Sequence, residues 1–414
     1  MSGFGFLPNE GFFGVGATPG TPMLQTQILR DAARKYLATH GDIPVGKSDV
    51  EKIQEAINIA NTWVENCTQF PLTTTNSDVA WSRRDWLDSS ITGWQKLVEP
   101  LAEGMVSALT KVLTEMGPQF GSPEIADPDF IENSGTSNFG VDAFLPVMRG
   151  FMGQLIATQL GQSIGALSVS ITGSNDVAIP LFENPGARLI PQNVAAWGAG
   201  LEIPEQEIAI YLALREVSAQ RLFAHTPWLS QYIRDLITAY GKGITVDIQS
   251  IQQQAETAMS SGELDITNPE SINLAINQGM FQPEQSPAQA AALGKLEITL
   301  ALIEGWIDHI TTLSAAERLP SLSALQETQR RSRIESAPTQ QLFASLLGLE
   351  VSPRKMRECA NFWNEIYKIS ADSGIEIRDH RWEDPSLLPT SDDLADPAAF
   401  LASTTVPDDL SGLI

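Results

Sequence analysis

ALREVSAQRLFAHTPWL, residues 213–229, is the stretch on which the reading of this chain turns. It ends a helical pattern that opens at EIPEQEIAIYL. Pro204 fits the first helical position, Glu205 and Glu207 suit the positive first turn, and Pro227 closes the run. At about 3.6 residues per turn, Arg215 shares its face with Ile208, Tyr211, Leu212, Ala219 and Leu222. It is a lone cation in an apolar stripe. If the stripe is buried, Arg215 needs a carboxylate partner; if not, its guanidinium snorkels to nearby water.

Two carboxylates suit that need. The downstream segment LIEGWIDHI places Glu304 and Asp308 four residues apart, on the flank of a stripe made by Leu293, Leu296, Leu300, Ile303, Ile307 and Ile310. Such a pair can hold a hard cation or an arginine.

The spelling Arg215-Glu216-Val217-Ser218-Ala219 also invites comparison with His-Glu-x-x-His. There, histidines four apart lie about 40° from each other on a helix and reach one zinc ion, and the glutamate activates bound water. Neither Arg215 nor Ala219 can ligate. His225 lies half a helical rotation from Glu216. His309 and His380 are free to approach in space, and His40 lies far upstream.

Around this core the chain divides by composition. Residues 1–24 are a Gly- and Phe-rich arm, and 25–141 a helical region in which Ser48 and Glu51 suggest a capping box. Residues 142–382 hold a helix, three β-type segments (166–172, 176–181 and 187–197), the Arg215 helix and further helices. These further helices include 228–264, 268–280, 286–314, 338–347 and 352–370. No lysine or arginine follows Arg381, while seven acidic residues do, so 383–414 is expected to be an extended acidic tail. The expected fold class is α+β, mostly α, with a small twisted sheet packed on the Arg215 helix.

Bulk properties narrow the function. A net charge of −24 disfavours nucleic acid and anionic membrane surfaces. Arg330, Arg331 and Arg333 form the one candidate basic patch, read as a solvated helix face. The uncharged run between Arg149 and Asp176 is too polar for a membrane span despite Gly161 and Gly165 in GxxxG spacing. Cys67 and Cys359 make no disulfide framework, which fits a cytoplasmic protein.

Taken together, ALREVSAQRLFAHTPWL, LIEGWIDHI, GLEVSPRKMRECANFW and DPSLLPTSDDLADPAAF resemble a bacterial group of zincin-like proteins, often labelled hydrolases or zinc-dependent metalloproteases. The resemblance implies a zincin-like fold and a zinc site. Carried over, the ligand positions fall on Arg215, Ala219 and Glu304, and the general-base position on Glu216. Only the two glutamates keep the needed chemistry. The expectation is therefore a catalytically inactive member without cofactor, a binding or scaffold protein for another protein, in which Arg215 pairs with Glu304 across the old metal position. One alternative is a metal-dependent peptidase with oxygen ligands from Glu216, Glu304 and Asp308, joined by His309 or His380. Another is a small-molecule site in the former active-site cleft, lined by Tyr211, Trp228 or Trp306.

Overall fold

Segments with apolar residues at three- and four-residue steps fold as helices. The computed structural model describes residues 22–72, 78–120, 141–244, 286–335 and 353–404. It opens with α1 (Thr26–His40), α2 (Lys47–Val64), α3 (Arg83–Phe120) and α4 (Val141–Ser170). A short α5 (Pro191–Trp197) leads to α6 (Glu205–His225), which carries Arg215, and then α7 (Trp228–Lys242). Beyond these lie α8 (Pro287–Ala315), α9 (Leu322–Glu335), α10 (Pro353–Ile369), α11 (Gly374–His380) and α12 (Pro397–Thr404). The expected helices at 268–280 and 338–347, and most of the Gly- and Phe-rich arm, lie outside the described residues.

Helix α6 is the axis of the fold. Every residue from Ile210 to Phe223 is buried. It is enclosed by α2, α8, α5 and α9, while α7 packs on α3 and α8, and α10 covers the outer side of α8. Helix α1 lies on α4, where Gly161 and Gly165 let the backbones meet. A Cβ on Gly161 would fall 2.5 Å from the Leu29 carbonyl oxygen, and one on Gly165 2.8 Å from that of Ala33. The GxxxG spacing thus serves close helix packing. Among the described residues no helix is long and apolar enough to cross a membrane. Apolar side chains from Met23 to Phe400 join in one continuous core.

Local departures from the sequence reading have physical causes. Helix α2 starts at Lys47, with Gly46 as its cap and the Asp49 carboxylate accepting the Gly46 N–H at 2.9 Å, so Ser48 is already inside the helix. Pro204 is the cap of α6 rather than its first residue.

The expected sheet does not form among the described residues. Ala166–Ser170 simply continue α4, 176–181 is irregular, and Pro191 starts α5. What remains is pairing one residue wide around Leu189. Its N–H and C=O bond to Val79 and Trp81, and its neighbours Arg188 and Ile190 bond to Ser174 and Thr172, each at 2.9 Å. Pro180, Pro185 and Pro191 remove ladder donors on either side, which stops pairing from spreading.

The acidic end is also not extended where it is described. Asp384 accepts the Ser386 N–H at 2.9 Å and Asp393 the Thr390 N–H at 2.7 Å, so carboxylates close turns instead of repelling one another. Phe400 on α12 is buried, its ring 5.5 Å from that of Phe362. Residues 405–414 lie outside the described residues.

Candidate functional site

Adjacent residues on a helix point about 100° apart. On α6 this sends Arg215 toward α8 and Glu216 toward the loop after α4. Arg215 is 8% exposed. Its Nη2 donates to Glu304 Oε2 at 2.7 Å, and its Nη1 lies 3.4 Å from Asp308 Oδ1. The other oxygen of Glu304 is 2.8 Å from Arg333 Nη2, a residue of α9. The same Arg333 nitrogen reaches the Asp176 carboxylate and carbonyl, each at 2.8 Å. Asp176 Oδ2 in turn accepts the N–H of Thr172 at 2.8 Å and its hydroxyl at 3.0 Å.

The charges therefore alternate along a row, buried at Arg215 and partly buried elsewhere: Asp308, Arg215, Glu304, Arg333, Asp176. Both oxygens of Glu304 are engaged by guanidinium groups. Burial works against the charge on Asp176, but Arg333, the Thr172 N–H and Arg215 hold it below the usual carboxylate range. At Asp308 burial prevails over Arg215 and the pKa is raised. Arg215 is held in its charged form against burial by Glu304, Tyr211, Asp308 and Asp176.

Glu216 sits one residue away in a different setting. Its Oε2 accepts from the Ser174 hydroxyl, the Asn175 N–H and the Asn175 side-chain amide, all at 3.0 Å. Its Oε1 shares only the Asn175 N–H. Burial and then Asp176 push its pKa up to about 8, against the pull of those donors. The carboxyl fits because residue 173 is glycine: a Cβ there would fall 2.3 Å from Oε1.

Of the residues singled out by sequence, Arg215, Glu216, Ala219 and Glu304 line one small cavity of about 10 Å³. The histidines stay away from it. His309 faces Tyr367 and is buried, and burial, Arg378 and Lys368 push its pKa down to about 3. His380 pairs with Glu383 at 3.0 Å, His225 bonds the Pro71 carbonyl oxygen, and His40 stacks on Tyr36.

The aromatic residues expected to line a small-molecule site, Tyr211, Trp228 and Trp306, do not line this cavity. Tyr211 and Trp306 are fully buried, Trp306 donating to Asp379 at 3.1 Å, while Trp228 donates to the Trp382 carbonyl oxygen at 2.9 Å. Sequence reading missed Ser174, Asn175, Asp176 and Arg333. Arg333 belonged to the patch read as a solvated face, and only Arg330 and Arg331 behave that way, paired with Glu327 on their own helix.

Residues 25–401 match the sequence profile of a family described as zincin-like metallopeptidases. The chain belongs to the zincin-like metallopeptidase family. A solved structure from Chloroflexus aurantiacus, titled as a proposed hydrolase with a novel fold, is similar over 92% of this chain and 98% of its own. The TM-score is 0.58 at 17% identity, so this likeness speaks for the fold alone. A comparison with curated proteins gives no match.

The zincin-like family name implies a metal, and the residues present do not fit one. Arg215 and Ala219 offer only a fixed cation and a methyl group, and both oxygens of Glu304 are engaged by guanidinium groups. Among the described residues, no group of three or more His, Cys, Asp or Glu side chains is placed to hold a metal ion. The remaining space is about that of one water molecule.

Proposed function

We propose that this member of the zincin-like family has exchanged its metal for two guanidinium groups and acts by binding rather than by hydrolysis. One observation carries the reading: Glu304 is held by Arg215 on one oxygen and Arg333 on the other, at 2.7 and 2.8 Å. Two arginines supply the double positive charge of a divalent metal, so the carboxylates stay neutralised. They cannot supply its chemistry. A guanidinium has no open coordination position and keeps its protons at any physiological pH, so it does not generate hydroxide from bound water. Glu216, in the general-base position, is turned into a nest of donors from Ser174 and Asn175 rather than toward an open cleft. The protein then serves as a binding or scaffold protein, and both buried cysteines remain thiols, as in a reducing cytoplasm.

Metal analysis of the purified full chain tests this. The expected result is no stoichiometric zinc after dialysis, and no peptidase or esterase activity that a chelator removes. Stoichiometric zinc, or chelator-sensitive activity lost in Glu216→Ala, would overturn the proposal in favour of a metal-dependent hydrolase. The reverse experiment restores the motif. Arg215→His with Ala219→His and Arg333→Ala is expected to gain about one zinc per chain, because Glu304 is then freed as third ligand.

A further inference from the structure

A second and far larger cavity lies apart from the Arg215 row. It is a cleft of about 740 Å³ between α3, the end of α6, the start of α7 and the loop 179–188. That volume is within the range of small-molecule sites, about 300–1,000 Å³. Trp81, Phe182 and Phe223 give it apolar walls, and Lys96, Arg188 and Arg234 give it cations. Glu183 is the one carboxylate among its lining residues, and it is paired with Lys96 at 2.8 Å. In a chain with 50 acidic and 26 basic residues, a cleft with this balance is a local reversal of sign. Clefts lined by one sign of charge focus the field and attract the opposite ion.

Arg188 is the informative member. Its guanidinium lies over the Trp81 ring, 4.3 Å from the centroid. Its Nε is buried and makes no hydrogen bond. The carboxylate beside it, Asp78, stands 3.7 Å from Nε, beyond hydrogen-bond range, and the Asp78 oxygen is already taken by the Trp81 N–H at 2.6 Å. Burial lowers the Arg188 pKa, and Asp78 and Glu216 offset this only in part. Arg234, half-buried on α7, lines the same cleft. Both guanidinium groups line the cleft, and the planar donor fork of arginine suits a carboxylate or phosphate.

The cleft is also preformed. Gly93 of α3 lies so close to the loop that a Cβ would fall 2.2 Å from the Leu181 carbonyl oxygen. Within the loop Ile179 and Leu181 are buried, and Arg333 holds the chain just before it at Asp176. A rigid wall reduces the ordering cost of binding.

We propose that this cleft binds a small organic anion: an apolar or aromatic body bearing a carboxylate or phosphate. Arg188 and Arg234 take the anionic head, and Trp81, Phe182 and Phe223 receive the body. The site is distinct from the cavity beside Arg215, and the proposal does not depend on whether that cavity ever held a metal.

Calorimetric titration of the full chain, in buffer containing a chelator, tests the proposal. The probes are 3-phenylpropanoate, phenyl phosphate, the neutral amide 3-phenylpropanamide, and inorganic phosphate. At least one of the two aromatic anions is expected to bind at least tenfold more tightly than both the amide and inorganic phosphate; the stronger of the two identifies the head group. Arg188→Lys, which keeps charge but loses the planar fork, and Arg234→Gln are each expected to weaken that anion about tenfold. Circular dichroism checks that both variants fold. Absence of binding by either anion, equal binding of the amide or of inorganic phosphate, or affinity within twofold of wild type in both variants would overturn it.

Discussion

Arg215 and Glu216 are neighbours in sequence with opposite electrostatic fates. Arg215 is buried but surrounded by carboxylates, so its charge is kept. Removing it leaves the partly buried Glu304 and Asp308 short of a partner. Arg215→Ala is expected to cost about 3–5 kcal/mol in urea unfolding, the usual range for breaking a buried pair. Arg215→Leu combined with Glu304→Leu is expected to cost less than Arg215→Ala, because Arg333 still has Asp176 and no carboxylate is stranded beside Asp308.

Glu216 is buried beside Asp176 and its pKa is raised to about 8. The unfolded chain loses this proton near the ordinary value of 4.5, whereas the folded chain keeps it to about pH 8. Between those limits the folded state binds more protons, so stability falls as pH rises, by about 1.4 kcal/mol per unit for this group. The contribution is fully present below the unfolded pKa and gone above the folded one. Glu216→Gln removes this slope. The difference in melting temperature between variant and wild type should therefore grow in the variant's favour from pH 5 to pH 8. A constant difference would show that Glu216 is ionised throughout.

This residue scale was the part most open to reading from sequence. A cation in an apolar stripe requires a carboxylate, and LIEGWIDHI offers two on one face. Arg333 and Asp176 were not legible, because nothing in RRSR or in Asn175-Asp176 distinguishes a buried pair from a surface arginine and a turn.

At the scale of elements, helices were legible and the sheet was not. The 3.6-residue pattern is repeated over many turns in α6 and α8, so its signal accumulates. The segment 171–190 holds β-branched residues in short runs, which read as strands. Its polar groups are instead spent on Glu216, Asp176 and Leu189, and its prolines interrupt pairing. The loop is a socket for the Glu216 carboxyl rather than part of a sheet. Gly173→Ala should show this directly. Its Cβ must displace the carboxyl or the loop, and the expected loss is about 1–3 kcal/mol, as for overpacking elsewhere. A much smaller loss in the double variant Gly173→Ala, Glu216→Ala would locate the clash.

For the whole molecule, closure depends on a second buried polar knot. Asp379 of α11 accepts the Thr68 hydroxyl at 2.6 Å, the Gln69 N–H at 2.8 Å and the Trp306 indole N–H at 3.1 Å. Arg378 beside it donates to Asp379 at 2.7 Å and to the Cys67 carbonyl oxygen at 2.7 Å. The C-terminal helices are thereby tied to the segment after α2. Asp379→Ala strands a fully buried guanidinium and three donors, so a loss of about 3–5 kcal/mol is expected in thermal or urea unfolding. Long-range ties of this kind leave no local pattern: Thr68 and Asp379 are ordinary residues until the chain brings them together.

The burial of α6 on every side has one more consequence. A helix with a wet face exchanges its amide hydrogens through local fraying, but Ile210–Phe223 have no such face. Their exchange with deuterium must wait for the whole core to open. The central turns of α6 should be the slowest part of the molecule to take up deuterium, and their rate a direct gauge of its global stability.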